Sequence, residues 1–465
     1  MNKVRNIFNI GILRDSVYFK IFFLLWALVH NFSFGQRYTG YLSPVILLWG
    51  GLLLIRNLFI EKANVPNILM YLIYAFLASY VVTIILNRNL NLIGNTKTLI
   101  WGAIMTLVLF LSEYSDNDKK AYKDINKISK VLVIVIFIIS LLSILMFSLD
   151  ISYFVERVDG KLIPQGYYAA RLWGIYVDPN QASSVALVAL MLSLVLIVQR
   201  KALNKVFLTI SIIIQYIFII LTGSRGGEIA LIFVLIGLGY LLFDFILKNS
   251  LRNNIIRVII SLVLGFIITI GTVASFDGSR RLLSYIPKTT VKTQQYLNQT
   301  TGIQSGEHSG NVTVERPDAT TSNGRLTLWK DGFRLSKFSP VFGFGDRNIP
   351  IKAAELTPGS SLEVQYVHNG FIHMLLSGGV VALVIMFIFI AIIGVKAISI
   401  FFGKYRYNSN YYVYSIISLM VVSLLIAAMF LTEIFYQNSF IATAYWIFLG
   451  YIVVLSNNFN NYNRY

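Results

Sequence analysis

The feature that most limits what this chain can become is a series of apolar runs, each about 20 residues long and bounded by polar or basic residues. A helix of that length crosses the hydrocarbon core of a bilayer, and inside a bilayer the backbone must satisfy its own hydrogen bonds. Twelve runs lie at about 17–34, 41–60, 66–86, 98–112, 128–149, 180–198, 206–222, 227–247, 255–276, 369–394, 411–432 and 436–455. Lys20 weakens the first and the fourth is short, so ten or eleven spans is the alternative count. A chain that is 56% hydrophobic exceeds what one soluble core buries. The expected fold is an all-α integral membrane protein of about twelve transmembrane helices.

The net charge of +18 would point to nucleic acid in a soluble protein, but in a multispanning one the side on which basic residues fall matters more. With the N-terminus placed in the cytoplasm, 21 of the 39 Lys and Arg fall in inner segments, seven in short outer loops and eleven in one long loop. The bias predicts both termini inside, a multi-pass protein of the cytoplasmic membrane, and no nucleic-acid partner. The basic N-terminus runs into its apolar segment without a small-residue cleavage site, and reads as a retained first span. Cysteine is absent, so neither disulfides nor cysteine-ligated metal can carry structure.

Three parts follow: 1–276 with nine spans and short loops, 277–366 as a large extracytoplasmic loop, and 367–465 with three spans. The first half of the loop is rich in Gly, Ser, Thr and Asn, a composition expected to be mobile. In the second half, R-L-T-L-W-K-D-G-F-R-L-S-K-F puts Leu326, Trp329 and Phe333 on one helical face, flanked by Leu328 and Leu335. An amphipathic helix on the outer membrane face is expected, within a lid that closes over the membrane domain. A smaller outer loop at 150–179 mixes aromatic and polar residues, as a carbohydrate-facing surface or an interfacial aromatic belt does.

Two stretches carry candidate chemistry. In T-G-S-R-G-G-E at 222–228, Ser224 can cap the following helix, whose positive end with Arg225 makes an anion site. The alternative is an Arg225 paired with Glu228 or turned to lipid headgroups. In V-H-N-G-F-I-H at 367–373, His368 stands at the entrance of an apolar helix, where an imidazole titrates near neutrality. The alternative there is a His368–Asn369 pair that only caps the helix. Arg171 and Arg325 are further outer arginines, and an arginine fork grips phosphate oxygens bidentately without losing its charge. No metal pattern competes, since His368 and His373 are about 140° apart on a helix.

The order of D-P-N-Q-A at 178–182, S-R-G-G at 224–227, G-R-L-T-L-W and S-P-V-F-G-F-G in the long loop, and H-N-G-F before S-G-G-V-V-A-L resembles the O-antigen ligase and O-antigen polymerase superfamily. The resemblance covers about 170–385. It implies a large extracytoplasmic loop before a His-bearing helix, an undecaprenyl-diphosphate-linked oligosaccharide donor and a glycan acceptor. Residue by residue, it makes His368 catalytic and Arg225, with Arg171 and Arg325, the diphosphate-binding set. Asn180, Trp329 and Asn369 become acceptor or glycan contacts. Ser377-Gly378 departs from the pattern, since many members carry an acidic and a small residue there, and any carboxylate role at that point falls away.

The implied reaction is inverting glycosyl transfer without metal or cofactor on the extracytoplasmic face: arginines stabilise the departing diphosphate and a neutral His takes the acceptor proton. Polymerisation of repeat units into a capsule, exopolysaccharide or O-antigen is the preferred reading. A ligase delivering finished glycan uses the same chemistry, and a flippase and chain-length regulator are the expected pathway partners. A lipid-linked-sugar flippase or transporter is the rival from another class, although neither two related halves nor mid-membrane ionisable helices are evident in the sequence.

Overall fold

The computed structural model describes residues 15–59, 66–111, 118–157, 160–199, 203–251, 253–283, 286, 324–403 and 409–461. The stretch expected to be mobile in the first half of the long loop lies outside them. Among the described residues nine helices precede that loop: α1 Ser16–His30, α2 Gly35–Phe59, α3 Asn67–Leu86, α4 Leu92–Ile104, α5 Asp118–Ser148, α6 Pro179–Gln199, α7 Lys205–Thr222, α8 Arg225–Leu247 and α9 Asn254–Leu283. Two loop helices follow, α10 Arg325–Ser336 and α11 Ile349–Leu356, then α12 Gly370–Phe401, α13 Ser409–Ala428 and α14 Phe440–Asn461.

Among the described residues ten helices are long and apolar enough to cross a membrane, and two shorter apolar ones, Ser16–His30 and Phe440–Ser456, accompany them. The short fourth run reaches spanning length because α4 continues through a π-helical turn, Met105–Leu109. α6 and α13 are buried along most of their length and pack on each other at the centre of the bundle. α9 runs on to Leu283, about two turns past the expected limit of 276.

The fold is not wholly α. In the loop after α5, β1 Ser152–Glu156, β2 Leu162–Tyr168 and β3 Arg171–Gly174 form an antiparallel sheet in the order β1-β2-β3. Ser152 stands opposite Gly166, and a bulge at Gly166/Tyr167 shifts the second pairing. Aromatic and β-branched residues suit these strands, and Ala169 and Ala170, both at positive φ, make the tight turn from β2 to β3. Ser33 Oγ donates to Gln165 Oε1 at 2.9 Å and ties the sheet to the turn after α1.

The long loop meets the bundle where α12 is broken. Gly379 sits at φ 69°, ψ −172°, a backbone shape open to glycine alone, and the helix resumes beyond it. Such a break frees backbone groups that a bilayer cannot satisfy. The loop segment 340–345 satisfies them: Phe344 N donates to Leu376 O at 2.8 Å, Gly345 N to Ser377 O at 2.9 Å, and Val380 N to Pro340 O at 2.8 Å. A Cβ on Gly379 would lie 2.1 Å from Val341 O, and one on Gly343 2.6 Å from Leu376 O. From the other side α3 holds the same segment, through Thr83 Oγ1 to Phe342 O and Asn87 Nδ2 to Gly343 O. The S-P-V-F-G-F-G and S-G-G-V-V stretches are therefore partners across one close backbone contact.

α10 packs its flanking residues into the protein and leaves the Leu326 and Phe333 face open. Leu328, Gly332 and Leu335 are buried, with Gly332 against Val367 and Ile372, while Leu326 and Phe333 are more than half exposed. The cause is tertiary: α10 packs on the start of α12, closing a small second core of Leu328, Leu335, Phe344, Ile349, Leu362 and Leu376. Trp329 is half-buried at its edge.

Candidate active site

Five segments meet at one end of the bundle: the start of α6, the α7–α8 turn, the starts of α10 and α12, and the 429–439 connection between α13 and α14. Ser224 caps α8, its Oγ accepting from Gly227 N at 3.1 Å, which sets half-buried Arg225 at the helix's positive end. Gly226 packs against Phe430 and Gly227 against Ser183 of α6. The Arg325 guanidinium lies over the Phe430 ring, 5.6 Å from its centroid. Arg171, leading β3, donates through Nε to Thr222 O at 2.9 Å and through Nη2 to Asn180 Oδ1 at 2.7 Å. Arg171, Arg225 and Arg325 thus come together around the S-R-G-G turn and Phe430. Glu228 pairs with Arg280, from the extended end of α9, and not with Arg225 as the sequence alternative allowed.

His368 opens the same neighbourhood. Its backbone is left-handed, φ 47°, a strained shape for a residue with a side chain, and its ring makes no hydrogen bond among the described residues. Burial and, secondarily, the Arg325 charge lower its pKa from 6.5, against a partial rise from Asp178, so the imidazole is neutral near neutrality. Neutral imidazole is the form that can accept a proton. Asn369 is the cap of α12: its Oδ1 accepts from Phe371 N at 3.0 Å and Ile372 N at 3.1 Å, and its Nδ2 donates to Met429 O at 3.2 Å. The geometry thus engages Asn369 in structure and leaves His368 unengaged. Asn180 likewise orients Arg171, while Trp329 stands in the second core, its buried Nε1 without an acceptor.

Glu433, which sequence reasoning passed over, lies beside this cluster. It is buried, Gln181 Nε2 donates to its Oε1, and its Oε2 has no partner. Burial first, then the Asp178 charge, raises its carboxyl to about 8, so it stays protonated at neutral pH. The signal was present in the chain, since no other acidic residue follows Glu363.

A second polar cluster stands a few residues away. His373 Nε2 and Asp346 Oδ1 are 2.8 Å apart and both side chains are buried. Gln437 Nε2 donates to the same Oδ1 at 3.1 Å, Thr98 Oγ1 and Arg347 Nε approach Oδ2 at 3.3 and 3.0 Å, and Tyr80 OH accepts from Asp346 N at 3.0 Å. Burial alone would raise the Asp346 carboxyl, but the hydrogen bond and charge of His373, with Arg347 and Thr98, outweigh it and hold it below the usual range. The cluster clamps the loop to α3, α4 and α12, with Arg347 at its exposed edge.

No curated protein matches the chain. Residues 210–387, which run from within α7 through the S-R-G-G turn and the long loop to the broken helix α12, match the family model described as O-antigen ligase, and this match supports the resemblance to the O-antigen ligase and polymerase superfamily.

Proposed function

We propose that the protein polymerises undecaprenyl-diphosphate-linked oligosaccharide repeat units into a cell-surface polysaccharide, a capsule, exopolysaccharide or O-antigen. The observation that carries this reading is the grouping of Arg171, Arg225 and Arg325 beside a neutral His368 whose ring is unengaged among the described residues. The arginines hold the donor diphosphate and stabilise it as it leaves. His368 takes the proton of the attacking acceptor hydroxyl, and displacement at the anomeric carbon inverts its configuration. Charge stabilisation and proton transfer both come from side chains, so neither metal nor nucleotide enters the reaction.

The site belongs on the extracytoplasmic face of the cytoplasmic membrane, with twelve spans and both termini inside. A flippase supplying donor and a chain-length regulator are the partners this activity implies. A ligase that passes finished glycan to another acceptor rests on the same side chains; a transporter is disfavoured by the family match.

The test is purified protein with lipid-diphosphate oligosaccharide, without metal or nucleotide. Chain growth supports the polymerase, transfer only to a foreign acceptor supports the ligase, and translocation without bond formation overturns both. Single cysteines at exposed Gln365 and Ser250 should label from outside and inside respectively. The reverse pattern would refute the orientation.

A further inference from the structure

At the other end of α6, about 30 Å from Asn180 along a helix of this length, three helices leave a cavity of about 630 Å³. The first turns of α5 contribute Lys119, Lys123 and Lys127, and their spacing of four puts them in one stripe. Gln199 closes the cavity from the end of α6, and Asn410 and Val413 from the first turn of α13, the positive end of its dipole.

Two donors in this cavity, Gln199 Nε2 and Lys123 Nζ, lack an acceptor among the described residues. Asn126 Nδ2 donates to Gln199 Oε1 at 2.7 Å, which fixes the amide and leaves Gln199 Nε2 buried without a partner. Lys123 makes no ion pair among the described residues, and Lys127 reaches Asp15 only at 3.9 Å. One buried donor, exposed lysines and a helix's positive end around one cavity suit an oxyanion, and the mouth lies where spanning helices leave the bilayer.

We propose that this cavity binds a phosphate group, carried by an anionic phospholipid of the leaflet opposite the candidate active site. The phosphate oxygens take Gln199 Nε2 and the lysine stripe.

Purified full-length protein is placed in bilayer discs of phosphatidylcholine with or without phosphatidylglycerol, and the lipid retained on release is weighed by native mass spectrometry. A parallel arm measures the melting shift produced by inorganic phosphate. Preferential retention of phosphatidylglycerol is expected, falling about fivefold for each of Lys119→Ala, Lys123→Ala and Lys127→Ala, with arginine replacements retaining it. A shift with inorganic phosphate and no preference among lipids assigns the anion to a soluble phosphate compound and overturns the lipid carrier. Equal retention of both lipids without any phosphate shift overturns the site. So does an undiminished preference in Lys123→Ala, whose exposed side chain keeps folding out of the test.

Discussion

His373 and Asp346 join their side chains at 2.8 Å inside the protein, although the loop containing Asp346 and the helix containing His373 were separate parts of the chain in sequence. His373 is the chief partner of a buried carboxylate, and its contribution is to hold the loop on the bundle. His373→Ala leaves Asp346 without that partner and is expected to cost about 3–5 kcal/mol. Asp346→Asn, which keeps an acceptor for Thr98, should cost less. Melting in detergent measures both, and turnover per folded molecule should fall far less than stability does. A His373→Ala protein as stable as the parent would refute the clamp.

His368→Ala should lower turnover by roughly 10²- to 10⁴-fold while donor binding persists, because the arginines hold the diphosphate. Since the base works only when neutral and its pKa is lowered from 6.5, the acid limb of the pH–rate profile should lie below pH 6.5. Asp178→Asn removes the charge that raises His368 and should move that limb lower still. An acid limb that does not respond to position 178 would assign the titration to another group.

Arg325→Ala should weaken donor binding by roughly tenfold or more, the worth of one charged hydrogen bond. Arg280 is already paired with Glu228 and bonded to Ile220 O, so Arg280→Ala should lower the melting temperature and leave the donor dissociation constant nearly unchanged. Titration with a non-hydrolysable lipid diphosphate compares them, and equal losses from both would remove the distinction.

Glu433 makes stability depend on pH. Its folded pKa, about 8, lies above the ordinary 4.5, so its contribution is complete below pH 4.5 and is lost as pH rises through 8. The melting temperature of the parent should therefore fall across that interval, and that of Glu433→Gln should fall less. Parallel curves would show that the carboxyl ionises without cost.

These residues also show how far the sequence was legible. Every apolar run expected to span corresponds to a helix, because lipid forces the backbone into one shape, while ten of the helices among the described residues reach spanning length. The arginine–His368 grouping was readable because residue type, order and topology coincide at Arg171, Arg225, Arg325 and His368. The sheet at 152–174 was hidden by strands of four to seven residues, too short to be distinguished from an aromatic loop. The inward face of α10 depended on where α12 begins, and the Asp346–His373 pair on a contact between residues 27 apart. Periodicity within one element holds no record of such contacts.

Gly379→Ala tests the close contact at the break in α12. A Cβ 2.1 Å from Val341 O, on a left-handed backbone, is expected to destabilise the protein by at least about 2 kcal/mol. Gly394→Ala, with open space around it in the same helix, is the comparison and should be neutral or slightly stabilising.

That break also bears on how substrates come and go. A loop that supplies the missing hydrogen bonds of a membrane helix cannot swing away without stranding those amides and carbonyls in hydrocarbon, so segment 340–345 is a fixed wall and not a door. For the proposed polymerase, the traffic of lipid-linked chains would then run sideways past it, with the lipid sliding in the membrane plane and the growing glycan leaving over the rim.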